Sequence, residues 1–227
     1  MSLLWEFFAL AFTALLPLVN PLGSAFVFLG LVGIVPPSVY KSLARRIAIN
    51  TILFLAVIEI IGSTILSFFG VSLPIVQVSG GLVIAAIAWT LLNSDDNKNA
   101  TGRVDDKIDS LSAERDGGLS EKTFYPFTFP VTAGPGTIVT MLTLSAHVPR
   151  GTISGTVLAH LGIFLASVVL CGFVYLAYAF APQIARAVPP STAHGILRVI
   201  AFILLCIGVQ IAWNGFIALY VLLPSHP

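Results

Sequence analysis

Two short runs, each set inside an apolar stretch, carry residue types that can hold a ligand. Asn20-Pro21-Leu22-Gly23-Ser24 lies in the first stretch and Ala133-Gly134-Pro135-Gly136-Thr137 in the fourth. Proline lacks a backbone donor and clashes one turn back, so a helix does not pass through Pro21 or Pro135 undisturbed. It is well suited to the first position of a new helix, however. Asn20 and Gly134 then stand where an N-cap belongs, and each run reads as the start of a second half-helix. A helix N-terminus carries roughly half a positive charge and free N–H groups, and glycine lets a ligand reach the backbone. The chemistry is recognition of a small anionic group such as a carboxylate. The expected donors are N–H groups near Gly23, Ser24, Gly136 and Thr137, with the hydroxyls of Ser24 and Thr137. An ammonium group would be met by carbonyls around Leu16, Val19 and Thr132 and by the Asn20 side chain. With so few other polar groups, the ligand is expected to be small and net neutral. The plain alternative is a pair of proline kinks; two breaks at equivalent places, each with a capping residue and glycine, weigh against it.

Glu59 is the only carboxylate deep in an apolar run. An ionised acid in hydrocarbon is costly and marks a functional position by default, which makes Glu59 the ion-coupling candidate; the alternative is a side chain in a polar crevice. His160 reads as a residue that hydrogen-bonds between helices. Gln77 and Gln210 can bridge helices or line a pathway, while Asn93 and Asn214 suit helix ends. Gly81/Ala85, Gly155/Ala159 and Gly208/Ala212 have the small-xxx-small spacing of close helix packing. Cys171 and Cys206 lie in apolar runs as small hydrophobes and form neither a metal site nor a disulfide framework.

The elements that must position these residues follow from composition. Of 227 residues, 57% are hydrophobic and 9% charged, too few charges to coat a soluble surface. Most of the charge sits at 93–123, a hydrophilic linker. Six runs are long enough for about 30 Å of hydrocarbon: Leu3 to about Ile34, Leu43–Phe69, Pro74–Leu92, Phe124–Val148, Thr152–Ala181 and Ala193 to about Leu223. Pro189-Pro190 and Ser191-Thr192 supply a break and a cap before the last. The alternation of a membrane β-barrel is absent. The fold expected is all-α, with six transmembrane helices and broken first and fourth helices. A net charge of +1 without a basic cluster excludes nucleic acid as a ligand.

Ten of the eleven basic residues fall in loops on one side and only Arg150 on the other. Lysine and arginine mark the cytoplasmic face, so both termini are expected outside the cytoplasm, with the 93–123 loop inside. A C-terminal alkaline phosphatase fusion is expected to be active and a green fluorescent protein fusion dark. The opposite pattern would remove an odd number of spans.

The linker divides the chain into 1–92 and 124–227, three spans each. An odd number per half means the second half enters from the opposite side, so any repeat is inverted. Interrupted segments at matching places in two halves point to a transporter's binding site. The sequence resembles the MarC family of six-span membrane proteins over nearly its whole length. The resemblance rests on Asn20-Pro21-Leu22-Gly23 and Phe129-Pro130-Val131-Thr132-Ala133-Gly134-Pro135-Gly136-Thr137. Val78-Ser79-Gly80-Gly81, Gly208-Val209-Gln210 and Asn214-Gly215 support it. It implies a bacterial inner-membrane protein, its termini then periplasmic, related to exporters of small metabolites, some members resembling transporters of small neutral amino acids. No HExxH, G-x-S-x-G or nucleotide-binding loop is present, so a non-enzyme without cofactors is expected, driven by an H+ or Na+ gradient. A non-transporting assembly or regulatory factor and a small-solute channel are the alternatives, and a homo-oligomer is left open.

Overall fold

A computed structural model describes residues 2–33, 35–93, 123–149, 151–187 and 190–222. The linker from 94 to 122 with its five bases, Arg150, Pro189 and the residues beyond 222 lie outside the described residues. The elements are α1 (Ser2–Val19), α2 (Pro21–Val32), α3 (Pro37–Phe68), α4 (Leu73–Leu92), α5 (Phe124–Thr132), α6 (Pro135–Ala146), α7 (Ile153–Ala179), α8 (Ala181–Ala187) and α9 (Pro190–Leu222). The described residues are helical with no strand. Five spans are long and apolar enough to cross a membrane, α1 and α2 together forming the first. The bent pair α5 and α6 brings the number to six when it is counted as one span.

The starts are set by caps and prolines. Thr152 accepts the N–H of Gly155 at 3.3 Å and opens α7. Ser72 precedes α4, with Pro74 in its first turn. Two helices begin earlier than hydropathy suggests. Helix α3 starts at Pro37, so Lys41, Arg45 and Arg46 sit on its first turns instead of in a loop. Helix α9 starts at Pro190, upstream of the expected cap. Proline is welcome in a first helical turn, and a helix need not stop where its side chains become charged.

Helix α9 packs along most of the length of the shorter α4, from Pro74 against Gly215 to Ala88 against Leu204, and the small-residue spacing explains how. A Cβ on Gly208 would lie 2.7 Å from the N of Ala85 and 2.8 Å from the carbonyl of Gly81. A Cβ on Gly81 would in turn meet Ala212 and Gly208. Backbone touches backbone at this crossing, as small residues permit in a membrane where apolar side chains gain nothing over lipid.

The buried apolar residues fall into two clusters. The larger joins α1, α2, α3, α5, α6 and α7 around Leu15, Phe28, Ile47, Met141, Ile163 and Tyr178. The smaller holds Ile84 and Ala88 of α4 with Leu204 of α9, flanked by Leu18. Cys171 is buried as expected, whereas Cys206 is exposed on α9. Asn93 ends α4 as expected. Asn214 does not end a helix: it lies inside α9 and accepts from Gln210 one turn earlier at 2.8 Å.

Candidate functional site

Both expected breaks are present, and they differ in kind. At the first, Asn20 adopts the left-handed conformation (φ 43°, ψ 68°), caps α2 and accepts the N–H of Gly23 on Oδ1 at 3.1 Å. Asparagine tolerates this region better than most residues. The backbone ladder continues around it, Asn20 N–H donating to Leu16 and Ser24 N–H to Asn20, each at 2.9 Å.

The second break turns the chain by 65° between α5 and α6, with Gly134 as N-cap and Pro135 in the first turn. Helix α5 is not the regular half-helix the pattern suggests. Tyr125 (φ −118°, ψ 125°) and Phe129 (φ −126°, ψ 128°) are extended inside it. Each precedes a proline, Pro126 and Pro130, and a residue before proline is pushed out of the helical region. Hydroxyls fill in for the lost regularity. Thr128 Oγ1 donates to the Thr123 carbonyl at 2.8 Å and Thr132 Oγ1 to that of Phe127 at 2.7 Å.

The two breaks meet. A Cβ on Gly136 would stand 2.7 Å from Cγ1 of Ile84 and 3.1 Å from Cδ2 of Leu18, two residues before Asn20. The rings of Phe28 and Phe127 contact edge to face at 5.4 Å. Between the breaks stands Tyr178 of α7, fully buried. Its hydroxyl lies 2.9 Å from Thr132 Oγ1, and the Ser24 hydroxyl is the other polar group facing it. Thr132 spends its own hydrogen on Phe127, so Tyr178 is the donor in that pair. Its ring stacks on Phe28 at 4.5 Å.

Gly23, Ser24, Thr132, Gly136 and Thr137 are buried, while Asn20, Pro21, Gly134 and Pro135 are half-buried. Several expected donors are already engaged. Gly23 and Ser24 N–H bond to Asn20, and Thr137 N–H bonds to Gly134 at 3.0 Å. The Leu16 carbonyl is likewise taken by Asn20. The face above Gly23 is filled by the Asn20 amide, and that above Gly136 by Ile84 and Leu18. Two side-chain atoms stand out by contrast: Thr137 Oγ1 and Thr140 Oγ1 are buried with no hydrogen-bond partner among the described residues. Such groups are rare, because a buried polar atom without a partner costs about 1–3 kcal/mol. Thr137 is in the first turn of α6, where Pro135 has no N–H, the Thr137 and Ile138 N–H groups both turn back to the Gly134 carbonyl, and the Gly136 N–H is the backbone donor left over.

Glu59 lies elsewhere. It is 4% exposed on α3, with Oε1 3.1 Å from Nδ1 of His160 on α7. Ser145, in the last turn of α6, donates to the Glu59 carbonyl at 2.8 Å. His160 therefore does bond between helices, and its partner is the one acid singled out by depth. Gln77 also bridges helices, donating to Thr143 at 3.3 Å. Tyr178 is the residue the sequence reading passed over. Its signal was a tyrosine deep in an apolar run, whose hydroxyl must find a partner when buried.

An all-helical bundle with two broken spans meeting around buried hydroxyls defines a polytopic membrane protein with a polar interior. The family model for MarC family integral membrane proteins matches residues 5–220. The chain belongs to the MarC family. It is 31% identical to the inner membrane protein MarC of Citrobacter koseri, over 93% of this chain and 95% of that protein. It is 29% identical to the inner membrane proteins MarC of Escherichia coli K12 and Shigella flexneri over the same shares. No solved structure matches it.

Proposed function

We propose that the protein is a secondary transporter in the bacterial inner membrane, an exporter of small neutral amino acids or similar metabolites. The substrate carboxylate sits between the second half-helices that begin at Asn20-Pro21 and Gly134-Pro135. The observation that carries this reading is the unpartnered, buried Thr137 hydroxyl in the first turn of α6, beside Leu18 at the end of α1. A membrane scaffold has no use for an unsatisfied donor at that depth; a carboxylate satisfies it. The Gly136 N–H and the positive end of the α6 dipole act in the same direction. Because the Gly23 and Ser24 N–H groups and the Ser24 hydroxyl, which donates to the Asn20 carbonyl at 2.9 Å, are all engaged with Asn20, the α2 side contributes through the amide nitrogen of Asn20.

Helix pairing supports an inverted arrangement of two halves, 1–92 and 124–227. Exchanging the halves turns the α1–α7 contact into the α5–α3 contact and the α2–α7 contact into the α6–α3 contact, and leaves the α3–α7 and α4–α9 pairs as themselves; all six are present. Coupling is to an H+ or Na+ gradient, with Glu59 the acid available for it.

Proteoliposomes loaded with a panel of radiolabelled amino acids test the reading: a small neutral member is expected to be transported and to exchange. Thr137→Ala is expected to weaken its affinity by one hydrogen bond, about 0.5–1.5 kcal/mol, or roughly 2- to 13-fold. No transport of any panel member by correctly inserted protein overturns the proposal.

A further inference from the structure

Glu59 and His160 come from different halves of the chain, 101 residues apart, and meet across the α3–α7 interface. Glu59 is 4% exposed, whereas the His160 side chain is 38% exposed. A buried carboxylate thus faces an imidazole that is itself only partly covered. The depth fits a membrane-embedded position. Glu59 is nine residues before the end of α3 and His160 seven after the start of α7, about 10–14 Å beneath the same face.

We propose that Glu59 and His160 together bind the coupling proton, an assignment that rests on the transport reading above. Nδ1 and Oε1 share one proton. When it is bound, the pair is neutral overall; when it passes by way of the imidazole to water in an arrangement open to it, the pair carries one negative charge. A lone charge in hydrocarbon is costly, so the deprotonated pair favours arrangements open to water and the protonated pair tolerates closure. Protonation thereby biases how α3 and α7 pack. Other ionisable groups are few around it. Helix α6 brings Ser145 and, just past its end, His147, whose Nδ1 lies 2.7 Å from the Thr143 carbonyl. Cys171 is three turns further along α7, Tyr125 is on α5, and Glu6 is exposed on α1, which packs against α7. Lys41, Arg45 and Arg46 occupy the far end of α3.

The route to the substrate is helix α6. Ser145 ties its last turn to the Glu59 carbonyl, and Thr137 stands in its first turn, eight residues or about 12 Å away. A change in how α3 meets α7 is passed to the substrate end by one rigid helix.

Infrared difference spectroscopy of the purified full-length protein reads the proton site without transport. The expected result is a carboxylic-acid C=O band that titrates with pH, vanishes in Glu59→Gln and shifts its midpoint in His160→Asn. No such band, or a midpoint unmoved in folded His160→Asn, overturns the proposal. In proteoliposomes, Glu59→Gln is expected to lose accumulation driven by a pH gradient while counterflow of labelled substrate stays measurable. Accumulation at the wild-type level in that variant, or driven by Na+ alone in the wild type, also overturns it. If the wild type moves no amino acid, the transport reading fails by itself and the spectroscopic result still decides whether the pair binds a proton.

Discussion

Gly136→Val is expected to abolish substrate binding while the protein still inserts. The added side chain must enter the gap now filled by Ile84 Cγ1 at 2.7 Å and Leu18 Cδ2 at 3.1 Å. Overpacking of this kind costs about 1–3 kcal/mol, and here it pushes the start of α6 away from α4 and from the end of α1. The Gly136 N–H and the Thr137 hydroxyl then no longer converge on the ligand, and affinity falls by about 100-fold or more, the equivalent of about 2.8 kcal/mol. Gly23→Val acts on the facing half-site differently. Its Cβ would stand 2.8 Å from Asn20 Cγ and collide with the amide nitrogen, expelling the cap of α2, which is worth about 0.5–2 kcal/mol. Equilibrium binding of labelled substrate to monodisperse, membrane-extracted variants checks both. Wild-type affinity in folded valine variants would move the site elsewhere and leave the two prolines as ordinary kinks.

Gly81→Val and Gly208→Val are expected to unfold the α4–α9 pair. What a Cβ meets there is main chain, Ala212 and Gly208 on one side and Ala85 and Gly81 on the other. Main chain cannot rotate away as a side chain can, so the helices must separate along the whole crossing. The expected loss is about 3 kcal/mol or more, at the upper end for an overpacked interior, and is read as a lower midpoint of unfolding by denaturing detergent. Gly172→Ala is the control, since a Cβ there meets nothing within 4 Å, and its midpoint should match the wild type. A Gly81→Val protein as stable as that control would mean that the close crossing contributes little.

The sequence revealed the features that act locally. Proline with a capping partner marks a break, so the interruptions at Asn20 and Gly134 were legible, as was Thr152 at the start of α7. The spacing of Gly81/Ala85 and Gly208/Ala212 announced close packing, though not that the two pairs pack on each other. What escaped depends on which helices face one another. Nothing in an isolated α7 says that His160 meets an acid 101 residues away, or that Tyr178 stands between the two breaks. The irregular winding of α5 was within reach: Tyr125-Pro126 and Phe129-Pro130 lie one turn apart, and two such pairs leave little backbone free to be helical. The early start of α3 was missed because hydropathy reports where the membrane ends, not where a helix ends. Occupation of the faces above Gly23 and Gly136 was also unreadable, since a glycine invites close approach without saying by what.

The two buried clusters divide the molecule along a line that ignores chain order. Helix α4 comes from before the linker and α9 from after it, yet their glycine crossing locks them into one body. The remaining spans form the other body around Phe28 and Tyr178. The boundary runs past Leu18 of the larger body, Ile84 of the smaller one and Gly136 of the larger, through the place where the broken spans meet. Sliding or tilting one body against the other would therefore disturb only side-chain contacts, leaving the main-chain interlock of α4 with α9 intact. A fracture plane that coincides with the polar interior turns a rigid-body displacement of a few ångströms into a change in what that interior can reach.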